Sequence, residues 1–206
     1  MKKSLAVLMS MFFTGCTIFG IRTVEQADYT LLLDDGDIQI RQYDGFIVAE
    51  TTVEAEYEEA SSIGFRRLAG YIYGNNRQNQ EISMTAPVLR EREAGEKISM
   101  TAPVLQEKGD AGWKMSFVMP AKYTMDTLPE PIDPKVILKE VQGGKVASIR
   151  YTGLLSEENV RKKTKQLKVW LEENGYRAFS KPRSAGYDPP WTIPFLRRNE
   201  VQIDVE

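Results

Sequence analysis

Residues 29–43, YTLLLDDGDIQIRQY, decide the fold class. Two short apolar-rich runs, 29–33 and 38–43, flank Asp34-Asp35-Gly36-Asp37. An Asp-Gly pair between such runs is a hairpin signal, because a tight turn between twisted strands needs a positive φ that glycine adopts without strain. Residues 46–53 continue as a third strand, rich in β-branched side chains. The period then changes. Over residues 54–73, Ala60, Ile63, Leu68 and Ile72 recur at helical spacing with Tyr71 beside them. Glu54, Glu56, Glu58 and Glu59 gather near the start of this helix, where the macrodipole favours negative charge. Gly74-Asn75-Asn76 ends it.

The next stretch carries an internal repeat. Residues 82–89, ISMTAPVL, recur letter for letter at 98–105, an offset of 16 residues. So short an offset suits neighbouring strands or extended segments joined by the polar link 90–97. Pro87 and Pro103 cannot donate to a sheet ladder, so they are predicted at an edge, a bulge or a strand end. Residues 113–119 form another strand, and the proline-rich stretch 128–134 crosses between two halves of the domain.

The second half follows the same order. Residues 136–141 and 146–151 read as strands around Gly143-Gly144. Ser156 caps a second helix with Glu157 and Glu158 in its first turn. Val160, Thr164, Leu167 and Leu171 form its inner face, and Asn174-Gly175 stops it. A short run at 176–179, an irregular proline-containing loop and a last strand at 200–205 complete the chain. Strands, helix, strands, stated twice, predict an α+β domain of two related halves. No Gly-rich phosphate loop opens either helix, so a nucleotide is not indicated.

Composition narrows the chemistry. Of 206 residues, 27 are Lys or Arg and 29 are Asp or Glu, so there is no basic excess for nucleic acid and no such partner is expected. The basic cluster Arg161, Lys162, Lys163, Lys165 and Lys168 reads as the solvated face of the second helix. The chain contains no histidine, which excludes Ser-His-Asp and Cys-His nucleophile arrangements and the commonest metal ligand. Ligand binding therefore outranks catalysis, and no catalytic or metal-ligating residue is assigned.

Residues 1–15 have the layout of an export signal: Lys2 and Lys3, then an apolar run from Leu5 to Phe13, then Thr14-Gly15. The run is shorter than the roughly 20 residues that span a bilayer. Cys16 is the only cysteine, so no internal disulfide exists. Phe13-Thr14-Gly15-Cys16 resembles the lipobox of bacterial lipoproteins, although Phe13 stands where leucine is usual. That resemblance implies lipidation of Cys16, a tether over 16–27 and a folded domain over 28–206. Thr17 in place of the aspartate that signals inner-membrane retention implies the outer membrane of a bacterial envelope.

Four motifs in order carry a second resemblance. They are residues 64–74 (GFRRLAGYIYG), the two Met-Thr-Ala-Pro-Val copies, Phe117-Val118-Met119-Pro120, and residues 186–191 (GYDPPW) with Arg197-Arg198-Asn199-Glu200. Together they resemble the SOUL haem-binding protein family. The resemblance implies a distorted antiparallel β-barrel flanked by two helices, built from two pseudo-symmetric halves. It also implies haem or another porphyrin as ligand, held in an apolar cleft with its propionates near cationic groups. A histidine-ligated mode cannot be carried over, which leaves unligated binding or ligation by Met or Tyr.

Candidate ligand-binding residues follow. Arg66 and Arg67, on the first helix, can meet propionates or serve as solvated or salt-bridging groups. Tyr71 can contact a ring or ligate iron, or pack in the core. Met84 and Met100, at equivalent repeat positions, can line an apolar pocket or fill a strand core. Arg197 and Arg198 can serve a ligand or tie the Asp188–Trp191 loop to the sheet, and the structural role is favoured because such a loop needs its backbone groups satisfied. Two other functions remain open: a binding module for another small apolar or cationic ligand, favoured by a buried carboxylate on the cleft floor, and a structural envelope protein, favoured by a cleft filled with its own side chains.

Overall fold

The computed structural model describes residues 24–92, 112–189 and 191–206. Strands β1 (Tyr29–Asp35) and β2 (Ile38–Tyr43) form the expected hairpin, with Gly36 at φ 63° in its turn. After β3 (Phe46–Val53) comes helix α1 (Tyr57–Ile72), then β4 (Val88–Arg92) and β5 (Trp113–Val118). The second half contains β6 (Ile137–Val141), β7 (Gly144–Tyr151), helix α2 (Glu157–Glu173), β8 (Arg183–Gly186) and β9 (Asn199–Asp204). Ser156 caps α2 by accepting a hydrogen bond from the Asn159 amide.

All nine strands join one antiparallel sheet in the order β1-β2-β7-β9-β8-β4-β5-β3-β6, curled into a half-barrel. Set β1 aside and the order is symmetric about the β8–β4 seam. There β2, β3, α1, β4 and β5 answer to β6, β7, α2, β8 and β9. The first strand of each half pairs with the other half, β2 with β7 and β6 with β3. The two pseudo-symmetric halves of an α+β fold are thus present, interlocked by exchanged strands.

Strand alternation separates two faces. On one, α1 buries Leu68, Tyr71 and Ile72 against Ala49, Met115 and Phe117. On the same face α2 buries Leu167 and Leu171 against Ala147, Ile149, Val201 and Ile203. Gly64 lets α1 approach the sheet: a Cβ there would lie 3.3 Å from the Cβ and Sδ of Met115. The other, inner face buries polar side chains, Arg41, Ser148, Glu200 and Gln202 among them, beside a small apolar cluster of Ala86, Ala185 and Tyr187.

Of the first repeat copy only Val88 and Leu89 enter a strand, β4, and residues 82–87 join no ladder apart from a single bridge between Ala86 and Gln26. Pro87 stands just before that strand, where the missing donor does no harm. Two expectations need correction. Residues 90–92 belong to β4 rather than to the polar link, because Arg90 and Arg92 pair with Met115 and Trp113. Strand β8 falls where an irregular loop was read, since RSAG has no apolar alternation and is held by neighbours on both sides. The second repeat copy with Met100 and Pro103, the segment with Cys16, and Pro190 lie outside the described residues.

Candidate functional site

The two helices cover the two apolar clusters and leave the β8–β4 seam between them open. A cleft of about 520 Å³ lies over it. Phe65, Val88, Met115, Leu154 and Leu155 supply its apolar walls. Such a volume is within the range of small-molecule sites, roughly 300–1,000 Å³. Two cross-strand rows supply its floor. Asn199, Gly186 and Val88 line it from β9, β8 and β4, with Tyr151 and Phe117 continuing their row beyond the lining. Arg90 and Met115 line it from the next row, which Ser184 and Val201 continue.

Three arginines line this cleft: Arg66, Arg90 and Arg197. Arg66 is exposed on α1, its Nε donating only a long 3.4 Å bond to the Ser62 carbonyl. Arg90 is half-buried on β4, stacked 4.8 Å from the centre of the Tyr57 ring and donating to the Ser61 hydroxyl. Tyr57 itself donates to the Leu155 carbonyl at 3.0 Å. Of the carboxylates on the lining, Glu58 is exposed, and Asp188 accepts the Arg198 amide at 2.6 Å.

The remaining candidates stand elsewhere. Arg67 turns to the sheet and the proline-rich link, donating to Thr51 Oγ1 at 2.8 Å and approaching Asp133 Oδ2 at 3.5 Å. Tyr71 is buried in the core under α1, and its hydroxyl donates to the Pro129 carbonyl at 2.8 Å. Burial pushes that phenol up to about 12, with Tyr123 adding to the shift. Met84 packs against the α1 core cluster and does not line the cleft. Of the described candidates Arg66 borders the cleft, and Arg197 does so as well. Tyr57, Phe65, Arg90, Met115 and Tyr151 were not singled out from the sequence. The β4 alternation was the available signal for Arg90, because Val88 and Arg90 share a face.

The polar inner face carries a buried carboxylate, on the opposite side of the sheet from the cleft. Glu200 receives Arg41 at 2.7 and 3.0 Å and Arg198 at 2.6 and 2.9 Å. Ser148, Tyr187 and Gln202 donate to it at 2.9, 2.8 and 3.1 Å. Burial alone would raise its pKa, but the bonds and charges of Arg41 and Arg198 outweigh this and hold it at about 2. Glu200 is thus saturated by arginines and is no receptor for a ligand cation. Arg198 also binds this loop to the sheet, while Arg197 Nε donates to the Thr192 carbonyl at 2.7 Å. Among the described residues no group of three His, Cys, Asp or Glu could hold a metal ion.

Comparison with known proteins decides the family. The family model described as SOUL heme-binding protein matches residues 24–94 and 90–204. The chain belongs to the SOUL haem-binding protein family. It is 26% identical over 171 residues to human heme-binding protein 2, covering 82% of this chain and 78% of the relative. To heme-binding protein 1 of Xenopus laevis it is 26% identical over 162 residues, covering 78% and 80%. The fold is also that of the EcmrR C-terminal domain, with a TM-score of 0.60 at 13% identity over 86% of this chain and 98% of that one.

Proposed function

We propose that this SOUL-family protein binds haem or a related tetrapyrrole reversibly in the cleft over the β8–β4 seam, without bond-making chemistry. The observation that supports this reading is the open apolar cleft with Arg66 at its rim and Arg90 on its floor, in a family described by haem binding. Apolar walls suit the macrocycle, and guanidinium groups suit its carboxylates. A cationic ligand would meet the guanidinium groups of Arg66 and Arg90 on the same lining as the exposed carboxylate of Glu58. With no histidine in the chain, an iron ligand would have to come from another side chain, and Met115 on the lining has the requisite thioether.

The test is a hemin titration of residues 24–206, followed by the Soret band and tryptophan quenching. Saturable one-to-one binding at low micromolar hemin is expected. Val88→Trp, which fills the floor, is expected to weaken it about a hundredfold. Equal uptake by both proteins, or uptake that never saturates, would remove the cleft as the site.

We also propose that the domain works at a bacterial envelope membrane, facing the periplasm from the outer membrane, held by lipid on Cys16. Acyl chains contribute about 0.8 kcal/mol per buried methylene, and two or more make a stable anchor. Expression of the full chain in a double-membraned bacterium is expected to give a membrane-bound protein whose mature N-terminus is an acylated Cys16. Cys16→Ser is expected to move it to the soluble fraction. An unprocessed, unacylated wild-type chain would end this reading.

A further inference from the structure

We propose that Arg90, backed by the buried Tyr151 hydroxyl beside the lining, makes a carboxylate-accepting floor, so that the cleft takes an apolar acid inserted carboxylate first. The inference rests on the cleft being the ligand site and adds the chemical class and orientation of what enters it. Arg90 is a cation without a carboxylate: among the described residues it forms no ion pair, and its partners are the neutral Ser61 hydroxyl and the Tyr57 ring. By contrast Arg41, Arg67, Arg183 and Arg198 each meet an acidic side chain. A half-buried guanidinium over apolar walls has lost part of its hydration, and an anion is the partner that restores it.

Tyr151 supplies the second, independent observation. Its hydroxyl is the one buried side-chain polar atom among the described residues that has no hydrogen-bond partner, and the residue is 8% exposed. Buried hydroxyls are nearly always bonded, so an orphan asks for a ligand. Tyr151 does not itself line the cavity; it ends the cross-strand row that continues through Asn199, Gly186 and Val88, all of which do. Burial pushes the phenol up, Tyr57 adds to this and Arg90 opposes it, so the hydroxyl lies within the field of both. It remains a neutral donor at any physiological pH. A guanidinium on the lining gives a carboxylate its charged partner, and an unbonded phenol donor buried beside the lining is available to back it.

Metal-free protoporphyrin IX and its dimethyl ester separate the carboxylate from the macrocycle; cis-parinaric acid and its methyl ester do so without a tetrapyrrole. Fluorescence titration of residues 24–206 is expected to show at least tenfold preference for acid over ester. Arg90→Gln is expected to remove that preference by weakening the acid about tenfold while the ester changes less than twofold. Tyr151→Phe is expected to weaken the acid about threefold. Arg90→Lys, which keeps the charge, retains most of the preference and serves if Arg90→Gln does not fold. Equal affinity for acid and ester in the wild type, or a preference that survives Arg90→Gln, overturns the floor while porphyrin binding itself stands. An Arg90-dependent preference for parinaric acid with no porphyrin bound keeps the floor and overturns the tetrapyrrole reading.

Discussion

Replacing Glu200 with leucine is expected to lower the free energy of unfolding by about 3–5 kcal/mol, the cost of breaking a buried ion pair from one side. Arg41 and Glu200 have side-chain exposures of 2% and 0%, so the guanidinium left behind cannot recover its hydration. Arg198, Tyr187, Ser148 and Gln202 lose their shared acceptor at the same time. Urea unfolding of the two proteins measures the difference. The double variant Glu200→Leu with Arg41→Met is expected to recover part of the loss, since removing both charges costs less than removing one. The pH dependence carries the same signature. Glu200 ionises near 2 in the folded protein, against an ordinary value of 4.5. Because the folded value is the lower one, this stabilisation is fully present above about pH 4.5 and fades as the pH falls towards 2, by about 3 kcal/mol in all. A Glu200→Gln variant should therefore lose ground to the wild type at pH 6 and much less at pH 3. A loss under about 1 kcal/mol at pH 6 would show that the network is not a source of stability.

Local chemistry explains which parts were legible in the sequence. The β1–β2 hairpin follows from Asp-Gly between apolar runs. Helix α2 follows from Ser156, Leu167 and Leu171, because cap, inner face and stop agree. Strand β8 was invisible because Arg183-Ser184-Ala185-Gly186 has no period of its own; β4 and β9 make it a strand. The cleft was hidden for a related reason. It is lined from α1, β4, β5, β8, β9, the β7–α2 link, Asp188 and Arg197, whose meeting depends on strand order. Arg66 could be named because a motif contains it. Arg90 and Tyr151 could not, because neither residue type is unusual until the sheet shows one without a carboxylate and the other without a bond. Tyr71 misled in the opposite sense: the motif draws attention to it, but its hydroxyl is committed to Pro129.

Leu68→Ala and Leu167→Ala are each expected to cost about 2–5 kcal/mol, the range for truncating a fully buried leucine. Both side chains are 0% exposed, and each is the anchor of its helix on its own cluster. The sheet dictates what happens next. Two separate clusters would permit two transitions if each half folded alone. Yet β2 of the first half is bonded to β7 of the second, β6 of the second to β3 of the first, and β4 to β8 across the seam. Melting the α1 half would strip β6 and β8 of partners from the first half and expose their backbone groups. Each variant should therefore lower the midpoint of one shared unfolding transition, seen alike by far-ultraviolet circular dichroism and by tryptophan fluorescence from Trp113 and Trp170 on opposite halves. A split transition in Leu68→Ala, with Trp170 retaining the wild-type midpoint, would mean that the exchanged strands do not couple the halves. Ligand binding at the seam would then have to order two loosely joined units. A single transition instead makes the cleft a preformed feature of one cooperative sheet.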